Sequence, residues 1–180
     1  HLIGVSITDG NHSVMLFSDA GKAVRFHEED VRPLSRTARG VRGMWLDEGQ
    51  RVISMLAAAD GSPSVLTATE KGFGKRTPIA EYTQHGRGTK GMIAIQTSDR
   101  NGKLIGAELV NEADQVMLIS TGGVLIRTQV SQIREMGRST QGVTLISLDD
   151  GTKLAGLEKV IESDEPGEAS GGPDGDGQPS

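Results

Sequence analysis

Three stretches of this 180-residue chain can be laid over one another without a gap, and no other feature limits the fold so tightly. Val14-Met15-Leu16-Phe17-Ser18-Asp19-Ala20-Gly21 aligns with Val65-Leu66-Thr67-Ala68-Thr69-Glu70-Lys71-Gly72 and with Val116-Met117-Leu118-Ile119-Ser120-Thr121-Gly122-Gly123. The glycines fall at 21, 72 and 123, a period of 51 residues. The register continues through Arg25, Arg76 and Arg127, then Val31, Tyr82 and Ile133, then Arg36, Arg87 and Arg138, then Gly40, Gly91 and Gly142. A unit repeated at a period near 50 cannot bury its apolar face alone, so it must stack on its neighbours.

Within a unit the pattern predicts four strands. In the first, Leu2–Thr8 leads through an Asp9-Gly10-Asn11 turn to Ser13–Ser18. Ala20-Gly21 turns the chain into Lys22–Phe26, and an arginine-rich loop precedes a last strand at Val41–Leu46. Asp-Gly and Asn-Gly pairs suit such hairpins because they tolerate positive φ. Period-two alternation marks Met92–Thr97 and Val143–Leu148 as strands, and no helical period stands out. Leu154-Ala155-Gly156-Leu157 echoes Leu104-Ile105-Gly106-Ala107 and reads as the opening strand of a fourth unit. With 25 glycines and few aromatics, the chain suits many short strands joined by tight turns. The expectation is all-β: propeller-like blades of four-stranded antiparallel sheets at 1–51, 52–102 and 103–161, the last including a closing strand.

The chain has no cysteine, which excludes disulfides and thiolate metal sites. No apolar run approaches the roughly 20 residues of a membrane-spanning helix. A first residue of His1 points to a piece of a longer protein. The net charge of −5 conceals a division. Residues 158–180 hold seven acids against Lys159, whereas the preceding 157 residues hold 18 Lys and Arg against 17 Asp and Glu. Residues 162–180, rich in Gly, Pro, Ser and acid, are expected to form a disordered tail, because they cannot bury enough apolar surface to offset ordering. Such a tail either solubilises the chain or competes with nucleic acid for basic residues.

The basic residues recur in register. The loop after the third strand carries Arg32, Arg36, Arg39 and Arg42, with no acid between Val31 and Leu46. Its counterparts carry Arg87 and Lys90, and Arg134 and Arg138. A constant period gathers these loops along one edge, where a stripe of positive charge matches a bent phosphate backbone. Arg25, Lys75, Arg76 and Arg127 complete the candidate DNA-binding set. Recognition helices, zinc-finger spacings and aromatic platforms are all missing, so duplex backbone contact is expected rather than base reading. No catalytic constellation emerges: His1, His12, His27 and His85 lack metal-ligand spacing, and Glu28-Glu29-Asp30 reads as a solvated turn. Gly72-Phe73-Gly74-Lys75-Arg76-Thr77 lies in a hairpin rather than before a helix, unlike a true phosphate loop. Tyr82, matched by Val31 and Ile133, reads as core.

Several of these motifs together resemble the C-terminal domain of the DNA gyrase A protein. They are Gly21-Lys22-Ala23-Val24-Arg25-Phe26, Arg36-Thr37-Ala38-Arg39-Gly40-Val41-Arg42-Gly43, Gly72–Thr77, Arg100-Asn101-Gly102-Lys103-Leu104 and Gly137-Arg138-Ser139-Thr140-Gln141-Gly142-Val143. The resemblance spans residues 2–161 and implies a β-pinwheel whose neighbouring blades exchange strands, with this chain matching the last three of six. It further implies wrapping of duplex DNA in a cytoplasmic, nucleoid-associated enzyme. That enzyme joins two A and two B subunits and introduces negative supercoils, with ATP and Mg²⁺ used outside this chain. No cofactor, metal, membrane or catalytic residue is expected here, and the chain alone is expected to be a monomer. The family's Gln-Arg-Arg-Gly-Gly-Lys-Gly box is absent, and its nearest echo is Arg87-Gly88-Thr89-Lys90-Gly91. That departure implies weaker DNA wrapping than the whole domain gives. The related C-terminal domain of topoisomerase IV, and a propeller that binds protein or a small ligand, are the alternatives.

Overall fold

The structure, a computed structural model, describes residues 1–61 and 64–161. The expected tail at 162–180 lies outside the described residues. Among the described residues eleven strands form, in chain order: β1 (Ser13–Ser18), β2 (Lys22–His27), β3 (Val52–Ala58), β4 (Ser64–Thr69), β5 (Phe73–Pro78), β6 (Met92–Ile93), β7 (Leu104–Val110), β8 (Gln115–Ser120), β9 (Leu125–Gln129), β10 (Val143–Thr144) and β11 (Leu154–Lys159). Short 3-10 turns at Glu28–Asp30, Ile79–Glu81 and Val130–Gln132 follow the third-strand positions of the three repeats. The described chain is otherwise all-β. Each repeat centres on one hairpin: β1–β2, β4–β5 and β8–β9, paired antiparallel. The turn glycines Gly21, Gly72 and Gly123 take φ of 75°, 84° and 81°, where a side chain is strained.

The sheets do not follow the repeats. Their strand orders are β3-β1-β2-β6, β10-β5-β4-β7 and β11-β8-β9. Each hairpin therefore receives its inner neighbour from the opening of the next repeat, and the first two receive their outer neighbour from that repeat's end. The divisions at 1–51, 52–102 and 103–161 are units of sequence, while the first sheet draws on residues 13–27, 52–58 and 92–93.

Two expected strands change accordingly. Leu2–Thr8 forms no strand, although its counterparts β3, β7 and β11 do. Those three pair with the hairpin of the preceding repeat, and residues 2–8 have none to join among the described residues. Leu2, Val5 and Ile7 stand 82%, 79% and 96% exposed in consequence. Val41–Leu46 forms only a parallel bridge, Met44 to Thr89. The alternating segments at 92–97 and 143–148 yield the two-residue strands β6 and β10, because their later residues pack between blades rather than along an edge.

The core lies between blades. Met15, Phe17, Ala23 and Leu56 of the first sheet meet Val65, Tyr82 and Ile95, all buried. Tyr82 is fully buried as core, edge-on to Phe17 with ring centroids 6.1 Å apart. The second junction repeats this with Leu66 and Ala68 against Val116, Leu118, Ile133 and Ile146. Each such large side chain contributes about 1.5–3 kcal/mol by leaving water. The turn glycines seat each junction. The Gly21 carbonyl accepts from the N–H groups of Ala94 (2.8 Å) and Ile95 (3.3 Å), and that of Gly72 from Leu145 (2.8 Å) and Ile146 (3.3 Å).

Candidate nucleic-acid interface

The basic loops are joined end to end. Loop one touches loop two where the N–H groups of Trp45 and Gly88 donate to the carbonyls of Thr89 (2.8 Å) and Gly43 (2.6 Å). Loop two touches loop three where the Gln96 N–H donates to the Thr140 carbonyl at 2.9 Å. One arginine per later repeat stitches each seam. Arg87 donates from Nη1 to the Arg42 carbonyl at 3.3 Å, and Arg138 donates to the Ile93 carbonyl at 2.8 Å. Arg87 also donates from Nε to the Asp30 carbonyl at 2.9 Å but stays exposed, whereas Arg138 is half-buried.

The predicted cations separate into two groups. Arg32, Arg36, Arg39 and Arg134 are exposed, and their guanidinium groups have no partner among the described residues. Arg42 is exposed and lies over the Trp45 ring, 3.7 Å from its centroid. Lys90 is exposed and pairs with Asp47 at 2.9 Å, a contact that water and salt weaken. All of these sit on the joined loops.

The strand cations sit elsewhere. Arg25 donates from Nη1 to the carbonyls of Ile79 and Tyr82, each at 3.1 Å. Arg76 donates to the Ile133 carbonyl at 2.8 Å and pairs with Glu112 at 3.2 Å. Both pin a hairpin to the 3-10 turn of the following repeat. Arg127, at the matching position of the last hairpin, is exposed and donates to Gln115. Lys75 is fully buried, which corrects its placement in the DNA-binding set. Its Nζ donates to the Gly137 carbonyl (2.5 Å), the Arg138 carbonyl and Thr140 Oγ1 (3.1 Å). Burial pulls its pKa down to about 8, because a charged ammonium is disfavoured away from water. The amine so enclosed cannot reach a phosphate, in DNA or in a nucleotide.

The repeat itself held the signal for Lys75. Its matching residues are Val24 and Ile126, both apolar. Arg25 and Arg76 likewise fall within strands, where side chains meet neighbours, rather than within loops. Two other features escaped sequence reasoning. Trp45 is half-exposed beside Arg42 on the rim. Glu28 is not the solvated acid expected: it accepts from Thr8 Oγ1 and from the N–H groups of Gly10 (2.9 Å) and His12 (2.7 Å), clasping the first turn. The Thr8 hydroxyl, ahead of those N–H groups, holds its carboxyl below the usual range. Asp9, His12 and Glu28 lie within 4.8 Å of one another, but Glu28 already accepts three hydrogen bonds within the turn.

Known proteins share this architecture. The family described as the DNA gyrase C-terminal domain, a β-propeller, matches residues 12–59, 63–111 and 114–160, each segment a hairpin plus the strand it receives from the next repeat. The gyrase A protein of Pseudomonas aeruginosa is 52% identical over 97% of this chain, and that of Escherichia coli is 47% identical over 89%. The chain spans 18% of the length of either protein. Among solved structures, a DNA gyrase A C-terminal domain superposes with a TM-score of 0.77 at 29% identity, over 84% of this chain and 51% of the other. A topoisomerase IV C-terminal domain gives 0.81 at 25% identity, over 87% and 49%. With three family segments covering most of its length and gyrase A relatives near half identity, the chain belongs to the DNA gyrase C-terminal domain family of β-propellers.

Proposed function

We propose that this chain binds and bends duplex DNA along its row of joined basic loops, as a wrapping module of a gyrase. The observation that carries this reading is the set of exposed guanidinium groups of Arg32, Arg36 and Arg39 on the first loop and Arg134 on the third, without partners among the described residues, with Arg42 beside the first three and Arg87 and Lys90 on the loop between. Contacts of this kind go to phosphates and leave the sequence unread, so preference falls on DNA that bends easily. Arg25, Arg76 and Arg138 act one step back, by fixing the loops in line. The chemistry of strand passage belongs to other parts of the enzyme. The remainder of the gyrase A protein, the gyrase B protein, ATP and Mg²⁺ are its partners there, in the cytoplasm at the nucleoid. The box echo Arg87–Gly91 packs on the first loop, through Gly88 to Gly43 and Lys90 to Asp47, so less of it faces outward. Wrapping by this chain is accordingly weaker than by a domain that carries the full box. The 47–52% identity to gyrase A proteins favours gyrase over the topoisomerase IV reading.

The test is binding to a short fluorescent duplex across a salt series. The wild-type chain is compared with one carrying Arg32→Glu, Arg36→Glu, Arg39→Glu and Arg134→Glu. Each phosphate contact contributes about −0.9 to the slope of log affinity against log salt, so losing four flattens it by about 3 to 4. Thermal stability should hardly change, because these groups hold nothing in place. Binding that survives the reversal at every salt concentration would move the DNA interface off this rim, and a wild-type chain that binds no duplex even near about 50 mM salt would favour a propeller that binds protein.

A further inference from the structure

The two blade junctions follow one plan, and Lys75 marks where they part. At the second junction loop three lies along β5. The Arg76 N–H donates to the Arg134 carbonyl (3.3 Å), the Met136 N–H donates back to the Arg76 carbonyl (2.9 Å), and Thr77 Oγ1 donates to the Met136 carbonyl (2.9 Å). The turn beyond, residues 137–140, is held by side chains of opposite charge. Lys75 Nζ takes its oxygens, donating to the Gly137 carbonyl, the Arg138 carbonyl and Thr140 Oγ1. Glu81 Oε2 takes an N–H, accepting from that of Arg138 at 3.2 Å. Three acceptors match the three donors of an ammonium. Thr140 also makes the seam with loop two: its carbonyl accepts from the Gln96 N–H, and its Oγ1 donates to the Gly137 carbonyl at 3.0 Å.

At the first junction the same plan runs without the amine. The His85 N–H donates to the Arg25 carbonyl at 2.8 Å, matching Met136 to Arg76, but Val24 stands in the register of Lys75. Beside Val24 a cavity of about 440 Å³ opens between β2 and loop two, lined also by Gly86, Thr89 and Met92. Gly86 and Thr89 are the counterparts of Gly137 and Thr140, so the cavity lies where Lys75 fills its own junction. The junction thus forms with an apolar residue in this register. Burial of the lysine does not favour stability either. Loss of water outweighs the pull of the Glu81 carboxylate and takes the amine's pKa down to about 8, with the Arg138 guanidinium adding repulsion. Replacing a buried charge with an apolar side chain of like volume often leaves a protein as stable or more so. What the lysine gives is the shape of the loop it holds.

We propose that Lys75 is a positioning residue for DNA binding: its ammonium holds loop three in line with loop two, so that the exposed Arg134 and Ser139 meet the duplex backbone in a fixed shape. The inference rests on the DNA-binding reading above. Lys75 touches no DNA itself and acts through the turn at 137–140. Phosphate contacts set orientation only when several groups meet one backbone together, and a loop fixed beforehand gives up less conformational freedom on binding. Loop two, with a cavity where loop three has an amine, is the less fixed of the pair.

The test compares the whole wild-type chain with Lys75→Met, which removes the amine and keeps nearly its volume, at pH 7, where the amine is charged. Duplex binding is read by fluorescence anisotropy across a salt series, and stability by thermal unfolding. Lys75→Met should bind about three- to tenfold more weakly, with a salt slope shallower by about 1, the share of a single phosphate contact. Its thermal midpoint should stay level or rise. Amide exchange of the free chain should quicken at Arg138, Ser139 and Thr140 and stay unchanged at Arg87, Gly88 and Thr89. Thr140→Val, which removes one acceptor and keeps the amine, should weaken binding in the same direction. Binding by both variants that matches wild type at every salt concentration would overturn this inference alone. A Lys75→Met chain that fails to fold, or whose midpoint falls along with its affinity, would make Lys75 a support of the fold and overturn it as well. A wild-type chain that binds no duplex even near about 50 mM salt would overturn it together with the DNA-binding reading.

Discussion

Arg76 and Arg134 carry the same charge, and the Arg76 N–H donates to the Arg134 carbonyl at 3.3 Å, yet their guanidinium groups differ in role. That of Arg76 is held by Ile133 and Glu112, and that of Arg134 is held by nothing described. Lys75 lies further inward still. Its folded pKa of about 8 against an ordinary 10.5 means that between these values the unfolded chain binds a proton that the folded chain does not. Stability therefore gains from this group as pH rises from 8 to 10.5, by at most about 1.4 kcal/mol per pH unit. Urea unfolding of the wild type and of Lys75→Met at pH 8, 9 and 10 should show that rise only in the wild type, and parallel curves would refute it. A single repeat read alone could not place Lys75, because a lysine after Gly72 and Gly74 looks like a solvated turn residue. Laid over Val24 and Ile126, the same lysine occupies a core position. Arg36, Arg87 and Arg138 show the reverse limit: they share one register, yet Arg138 is half-buried while Arg87 stays exposed although it too donates to the preceding repeat.

At the scale of elements, the hairpins were legible and their outer neighbours were not. Ser13–Ser18 and Lys22–His27 declare themselves through alternation and a turn glycine whose positive φ ends one strand and starts the next. The flanking strands, inner and outer, are fixed by a partner some 40 to 70 residues away in sequence, as in Phe17↔Ser54 and Ala23↔Met92. An apolar period at residues 2–8 is a capacity to pair, and with no partner among the described residues it forms no strand. The turn glycines carry this dependence on neighbours into energetics. Gly72→Ala drives a Cβ to within 2.4 Å of the Ile146 carbonyl oxygen as well as straining a left-handed residue, and should cost about 2–4 kcal/mol. Gly123→Ala meets only the strain, about 1 kcal/mol. Thermal unfolding compares the two, and equal losses would mean that the junction does not depend on this approach.

For the whole molecule, net charge and interface charge point in opposite directions. The chain is −5, yet ending it after Ile161 removes six acids and no base and leaves +1. If DNA follows the basic loops, that shortened chain should bind duplex more tightly than the full one, and the gain should shrink as salt screens both. Equal affinities at low salt would assign residues 162–180 a solubilising role instead. The exchange of strands between repeats also sets a timetable. A ribosome releases residues in order, and the first sheet, begun at Ser13, cannot be completed until Ile93 has emerged. The second sheet waits in turn from Ser64 to Thr144. Each blade is thus left unfinished until the next has been made, and most of the chain must be synthesised before any two neighbours can close.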